Sequence, residues 1–384
     1  MLTCQKHLFS IPEEVSYLNC SYMSPQPTPV EMAGLQAVSR KSLPYQILIP
    51  DFFEPVAKLK SLFAQLINVV HPNRIAIVPS VSYGISSVVK NVSIQPGQNV
   101  VLVDEIFPSN YYPWRRLVME HGGEIKVVKR PDFGQQRGKT WNERLLEAID
   151  SKTVSVALPH VHWTDGTRFD LEAVRRRTNE VEALLIVDGT QSVGALTFDV
   201  ANIQPDALIC AGYKWLLGPY GLGLAYFGEK FDAGIPIEEN WINRKDSEHF
   251  EKLTQYQDAY KPAAHRFCMG ENSQFIAVPM LTKAIELLLD WGVANIQNYV
   301  RQLASPYVEK LAGLGCEIEE EAYRCSHLLG LRLPRQINLE AVKKATQSRN
   351  VFVSNRAGAM RISPHLYNEA KDFDRLMDAI KSVF

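Results

Sequence analysis

Two polar residues stand where apolar runs end. Ala183-Leu-Leu-Ile-Val closes on Asp188-Gly-Thr-Gln191, and Ala207-Leu-Ile-Cys-Ala closes on Gly212-Tyr213-Lys214. Each run reads as a buried strand, so an aspartate and a lysine are delivered to one sheet edge, where open α/β sheets hold ligands. Alone, such a lysine is commonly a snorkelling surface residue, and such an aspartate a helix cap. Together, with Gly212, Gly218, Gly221 and Gly223 letting the chain turn tightly around the lysine, they suit pyridoxal phosphate. The lysine holds the aldehyde as a Schiff base, and the carboxylate keeps the pyridine nitrogen protonated so that the ring can accept electrons.

Other strings imitate chemistry. Gly134-Gln-Gln-Arg-Gly138-Lys139-Thr140 is similar to a nucleotide loop, which needs four residues between its glycines to curl backbone N–H groups around a phosphate. Here there are three, and Phe133 stands where a glycine is needed. A polar surface turn leading into a helix opened by a Thr140/Glu143 capping box is expected instead. Gly218-Pro-Tyr-Gly221-Leu-Gly223 precedes an apolar run rather than following one, the wrong order for a dinucleotide fingerprint. His160, His162 and Asp165 alternate along a strand exit, and no metal site is expected from them.

The elements that must position Asp188 and Lys214 are legible from about residue 75 onward. Candidate strands lie at 75–79, 100–104, 125–129, 154–158, 183–188, 207–210 and 222–227, several of them continuous Val/Ile/Leu runs. Such runs predict a mostly parallel sheet buried on both faces by helices. Leu59, Leu62, Phe63, Leu66 and Ile67 form a helical stripe before the first strand, and Asp170 is placed to cap a helix starting at Leu171. After about residue 275 two long helical patterns follow, one on Leu281, Ile285, Leu288 and Leu289 closed by Gly292, the other on Ile296, Val300, Leu303, Tyr307 and Leu311. Short strands are predicted at 328–333, 351–354 and 360–363, with a helix from Leu339. A final helix on Phe373, Leu376, Met377, Ile380 and Phe384 is expected to be capped by Asn368. The fold class is thus α/β: a large domain, residues 20–275, on a mainly parallel seven-stranded sheet, and a smaller α+β domain, residues 276–384 with 1–19. Residues 231–267 read as a long connection or partner-contact segment.

Composition narrows the function classes. The 384 residues exceed one ordinary core. A formal charge of −1 excludes a polyanion binder working by bulk charge, so no nucleic acid and no anionic membrane is expected as partner. Hydrophobic residues at 46% and charged residues at 22% exclude disorder. The six cysteines are scattered without a C-x-x-C pair, which points to free thiols rather than disulfides or zinc. No apolar run approaches the ~20 residues of a membrane span, and the N-terminus lacks the apolar core of a signal peptide. A cytoplasmic protein is expected.

The string D-G-T-Q…A-G-Y-K-W-L-L-G-P-Y-G-L-G resembles the cofactor signature of the class V aminotransferases, a branch of the fold type I pyridoxal-phosphate enzymes that includes cysteine desulfurases and isopenicillin N epimerase-like proteins. Tyr17-Leu-Asn-Cys-Ser-Tyr-Met-Ser-Pro, Ser80-Val-Ser-Tyr-Gly-Ile, Phe107-Pro-Ser-Asn-Tyr-Tyr-Pro-Trp and Arg361-Ile-Ser-Pro-His-Leu-Tyr-Asn368 are similar to further family segments, in the family's order. The resemblance implies that Lys214 is the Schiff-base lysine, Asp188 the partner of the pyridinium nitrogen and Gln191 a contact of the ring oxygen. It further implies that Ser82 and Tyr83 belong to the phosphate turn, that Phe107 stacks on the ring, and that Trp163 lies near the cofactor. Arg361 would grip a substrate α-carboxylate, with Arg356 as second choice. Ser82, read without the family, is an N-cap.

Three departures stand out. Tyr213 replaces the histidine usual in desulfurases. Ala211 replaces a phosphate-binding serine, whose hydrogen bond must come from Tyr213 or a neighbouring subunit. The stretch Arg356-Ala-Gly-Ala-Met-Arg361 is too short for a loop with a catalytic cysteine, and no cysteine follows Cys325. A persulfide-forming desulfurase is therefore not expected. The resemblance implies an aminotransferase acting on an amino acid as a homodimer, with a β-lyase (C–S lyase) or epimerase as alternatives. A cofactor-binding protein without turnover and a nucleotide-binding enzyme are the rivals of other classes.

Overall fold

The structure, a computed structural model, describes residues 2–132, 134 and 136–384. Phe133, set against the nucleotide-loop reading, lies outside the described residues.

The chain begins with a short strand β1 (Ser16–Tyr17) and two helices, α1 (Thr28–Lys41) and α2 (Glu54–Leu66). An alternation follows: β2 (Ile75–Val78), α3 (Val81–Val89), β3 (Asn99–Val103), α4 (Tyr112–His121), β4 (Glu124–Val128), α5 (Arg137–Ala148), β5 (Thr153–Pro159), α6 (Leu171–Glu180), β6 (Leu184–Asp188), α7 (Val200–Ile203), β7 (Ala207–Ala211) and β8 (Gly223–Phe227). The seven strands β2 to β8 form one sheet in the order β2-β8-β7-β6-β5-β3-β4. Strands β3, β4, β5, β6 and β7 are mutually parallel, while β8 runs antiparallel to both β7 and β2. β2, β3 and β7 are buried along their whole length, as their unbroken apolar runs predict. β4, at the sheet edge, exposes Glu124 and keeps Lys126 half-buried, which blunts an open ladder.

The remaining elements are α8 (Ala277–Trp291), α9 (Val293–Gly313), β9 (Glu317–Ile318), β10 (Leu329–Arg332), α10 (Leu339–Gln347), β11 (Val351–Phe352), β12 (Ser354–Arg356), β13 (Ala359–Ile362) and α11 (Ala370–Lys381). A four-stranded sheet runs β12-β13-β10-β9. The predicted strand 351–354 divides in two: β11 pairs with β1, while β12 pairs with β13. Leu18, Leu331, Met360, Ile362, Phe373 and Leu376 help to build a second apolar core beside the one around the large sheet. α8 puts Leu281, Ile285 and Leu288 into the first core, although it lies beyond residue 275; past α8, the first buried residue of the second core is Ala304 in α9. No described helix is long and apolar enough to cross a membrane.

Two expected caps differ. α5 starts at Arg137 rather than at Thr140. Its first N–H groups are met by distant carboxylates, Gln136 N–H by Glu320 and Gly138 N–H by Glu319, so no local threonine is needed. The expected polar surface turn is instead buried at Arg137 and Gly138. At the last helix the Asp372 carboxylate turns back to accept from Glu369 N–H, and Asn368 lies one position too early to cap; its side chain accepts from His365 N–H and donates to Asp372. Asp170 does cap its helix, accepting from Ala173 N–H at 2.9 Å.

Candidate active site

The C-terminal ends of β2, β6 and β7 converge on a cavity of about 250 Å³. Asp188 is the last residue of β6, and its carboxylate accepts from Thr190 N–H at 2.9 Å. Burial pushes the Asp188 carboxyl above its ordinary value. Beyond β7 the chain turns at Gly212, where a Cβ would meet the Leu222 carbonyl oxygen at 2.5 Å. Only glycine lets the backbone pass that close, and the turn swings Lys214 back to the cavity.

Lys214 is buried, with 8% of its surface exposed. Its Nζ lies 5.7 Å from the Phe107 ring centre and 5.6 Å from that of Tyr213, and among the described residues it has no hydrogen-bond partner. Burial lowers its pKa to about 8, against the pull of Asp188; Arg361 and Arg356 add to the lowering. A free amine is the nucleophilic form. The apoprotein should therefore react with an aldehyde faster as pH rises through about 8 and level off above it. Stopped-flow rates between pH 6 and 10 would show this; a rate still climbing toward pH 10 would mean an unshifted lysine.

At the other end of the cavity lies the start of α3. Ser80, not Ser82, is the N-cap: its hydroxyl accepts from Tyr83 N–H at 3.2 Å and sits 2.8 Å from the Ser82 hydroxyl. That bond occupies the Tyr83 N–H. The first-turn N–H groups of Val81 and Ser82 have no intrahelical acceptor, and they coincide with the positive end of the helix dipole. Ser82 lines the cavity; Tyr83 does not. Burial raises the Tyr83 phenol above its ordinary value. Ser80, Ser109, Thr190 and Tyr220 also line the cavity and were not singled out in the sequence. Ser80 and Ser109 sit in segments marked by their neighbours, but only the turn geometry says which hydroxyl faces inward. The Ala211 N–H donates to the Thr190 hydroxyl at 3.3 Å.

A chain of contacts ties the second core to this cavity. Arg361, on β13, donates from Nη1 to the Trp163 carbonyl at 2.7 Å and from Nε to the Ser354 hydroxyl at 3.0 Å. The Trp163 indole donates to the Glu105 carbonyl at 2.7 Å and meets the Phe107 ring edge-on at 5.4 Å between centres. Trp163 therefore props Phe107 from behind and does not itself line the cavity, as Phe107 does. Tyr213 faces inward and packs on Tyr220, ring centres 4.5 Å apart. Gln191 follows the end of β6. Its carboxamide donates to the Ser21 carbonyl and accepts from the Trp215 indole, fastening the β6 exit to the N-terminal segment, and it does not line the cavity. Arg356 ends β12 and donates to the neighbouring Asn355 carbonyl.

Among the described residues no group of three or more His, Cys, Asp or Glu side chains is placed to hold a metal. His162 bonds to Thr164 and the Asp104 carbonyl, and Asp165 pairs with Arg137. Cys325 is buried, donates to the Leu328 carbonyl, and burial pushes its thiol up to about 12. The turn between β12 and β13 is only Ala357-Gly358, leaving no room for a cysteine-bearing loop.

The family description "Aminotransferase class-V" matches residues 49–376. The chain belongs to the class V aminotransferases. It is 28% identical over 319 residues to the uncharacterized aminotransferase YcbU of Bacillus subtilis, covering 83% of this chain and 81% of that one. To the isopenicillin N epimerase of Amycolatopsis lactamdurans it is 25% identical over 331 residues, covering 81% of each. Among solved structures it is similar to a mutant of C-DES with glycine covalently linked to the PLP cofactor, at TM-score 0.86, 17% identity and 100% of each chain. It is also similar to the cystine C–S lyase C-DES with its product cysteine persulfide, at TM-score 0.83, 17% identity, 96% of this chain and 98% of that one.

The fold is that of the fold type I enzymes. The cofactor of a class V aminotransferase is pyridoxal 5'-phosphate, and the cavity fits it by its own chemistry. A buried carboxylate with one N–H partner lacks a cationic donor. A buried amine has no hydrogen-bond partner among the described residues. A helix start offers N–H groups suited to a phosphate.

Proposed function

We propose that the chain is a pyridoxal-phosphate-dependent enzyme acting on an amino acid, an aminotransferase in the first place. The observation that carries this reading is Lys214: a buried amine, lowered to about 8, sharing one cavity with the buried carboxylate Asp188. When bound, the cofactor supplies a protonated pyridine ring that takes electrons from the α-carbon of an amine. The residues do the rest. Lys214 would hold the cofactor aldehyde covalently and would move the α-proton as general base. Asp188 accepts from the ring nitrogen and keeps it charged. The α3 start, with Ser82 and the hydroxyls of Ser80 and Ser109, would take the phosphate and make up for the serine absent at Ala211. Phe107, backed by Trp163, would flank the ring. Arg361 holds the α-carboxylate in a fork already aimed by Ser354 and Trp163.

C–S lyase chemistry is the second reading, favoured by the likeness to C-DES, and epimerisation the third. The test is a panel of amino acids scored separately for keto acid, for pyruvate with ammonia, and for inverted enantiomer. Keto acid formed only with an added amino acceptor is the expected result; pyruvate without an acceptor would replace it with the lyase.

We also propose a cytoplasmic homodimer. Six free cysteines support the first part. Met32, Leu35 and Val38, exposed in a row on α1, support the second. The division at residues 275/276 is proposed as that between a cofactor-holding unit and a unit that brings Arg361, with α8 fastened to the former.

A further inference from the structure

The β12–β13 hairpin presents two guanidinium groups on one face. Ser354 is paired with Arg361, and Arg356 with Ala359. The two-residue period of a strand therefore puts Arg356 and Arg361 on the same side, while Met360 and Ile362 enter the second core on the other. The connecting residues Ala357 and Gly358 both have positive φ, 48° and 77°, the mark of a tight two-residue turn that fixes register. As diagonal neighbours the two arginines stand about 7–8 Å apart at the backbone.

Neither hydrogen bonds to an acid among the described residues. Arg361 meets a hydroxyl and a carbonyl, Arg356 a carbonyl. Their charges act on each other and on Lys214. Burial and then Arg356 lower Arg361 to about 10, and both arginines add to the lowering of Lys214. Buried or half-buried cations without an acid are unfavourable until an anion arrives. One guanidinium is enough for an α-carboxylate. A second on the same face, half-buried and likewise without an acid among the described residues, calls for a second acidic group on the same ligand.

We propose that the substrate is an anionic amino acid whose α-carboxylate lies on Arg361 and whose side-chain oxyanion, a carboxylate or sulfinate, lies on Arg356. This rests on Arg361 being the α-carboxylate site. The experiment titrates the cofactor-loaded enzyme with unreactive acids, succinate and glutarate against butyrate and valerate, by calorimetry at constant ionic strength. The diacids are expected to bind at least about tenfold more tightly, as one added charge-assisted contact implies. Arg356→Gln should remove that preference by weakening the diacids alone, and Arg356→Lys should keep part of it. Equal affinities in the parent enzyme, or an Arg356→Gln variant that weakens diacids and monoacids alike, would overturn the proposal. The borohydride-bleached near-visible band of the same sample reports separately on the cofactor reading: its absence overturns that reading, whereas equal affinities with the band intact overturn only the double-anion substrate.

Discussion

Replacing Lys214 by alanine should lower turnover by on the order of 10³-fold or more, because one substitution removes both the covalent anchor and the general base. The same variant should lose the near-visible band that borohydride bleaches in the parent protein. With both proteins stripped of cofactor, its thermal midpoint should not fall. Lys214 has no hydrogen-bond partner among the described residues, and burial already disfavours its charge, so the amine contributes little to holding the fold. The linkage has a definite sign. A lysine lowered from 10.5 to about 8 binds fewer protons folded than unfolded between those values, so in the apoprotein it makes stability rise with pH across that window and penalises the fold below it. Alanine removes that penalty near neutral pH. Absorbance with and without borohydride, a steady-state assay and a melt in parallel check all three parts. A variant that still shows a bleachable band would assign the anchor to another lysine.

The second large effect lies away from the chemistry. Arg137, at the start of α5, is buried between Asp165 on the β5 exit and Glu319 just after β9, with Nη1 donating to Glu319 at 2.9 Å and to the Thr167 hydroxyl at 3.1 Å. Burial raises the Glu319 carboxyl, opposed by the Gly138 N–H and by Arg137. Arg137→Ala would leave the buried Glu319 carboxylate without its cation and Asp165 with only Arg130, at 3.6 Å, an arrangement that costs about 3–5 kcal/mol. Urea unfolding should show that loss as a lower midpoint. Adding Glu319→Gln to the same chain should recover part of it, since one uncompensated charge is then gone. A loss below about 1 kcal/mol would mean that water or another cation replaces Arg137 without difficulty. The triad matters for function as well, because it joins α5 of the large sheet unit to the sheet that carries Arg361.

This triad also marks where sequence reasoning stopped. Arg137 lies inside the glycine-containing string that imitates a phosphate loop, and a polar string with a threonine and a glutamate after it reads as a surface turn with a local cap. Nothing within a few residues hints that Glu319 and Glu320 will supply the carboxylates. Asn368 was misplaced for a similar reason: Asn and Asp both cap helices, and which one bonds depends on a single residue of phase. Gln191 sits in the right string, yet its two side-chain bonds go to Ser21 and Trp215, partners contributed by different stretches of chain.

What local sequence does determine is whatever has a short physical range. Continuous Val/Ile/Leu runs need a sheet covered on both faces, and each predicted strand of the large sheet appears within a residue or so of its expected limits. Asp188 at the end of one run and Lys214 just past another follow from the same pattern, because the end of a parallel strand is a fixed place. The tertiary structure alone decides which groups face each other across the cavity. It sets Trp163 behind Phe107, turns Ser80 rather than Ser82 into the cap, and lays two arginines on one face with no acid bonded to either among the described residues. Those outcomes depend on strand order, hairpin register and the packing of residues far apart in the chain. Spacing along the sequence carries no information about any of them, whereas burial in a folded chain fixes all of them together.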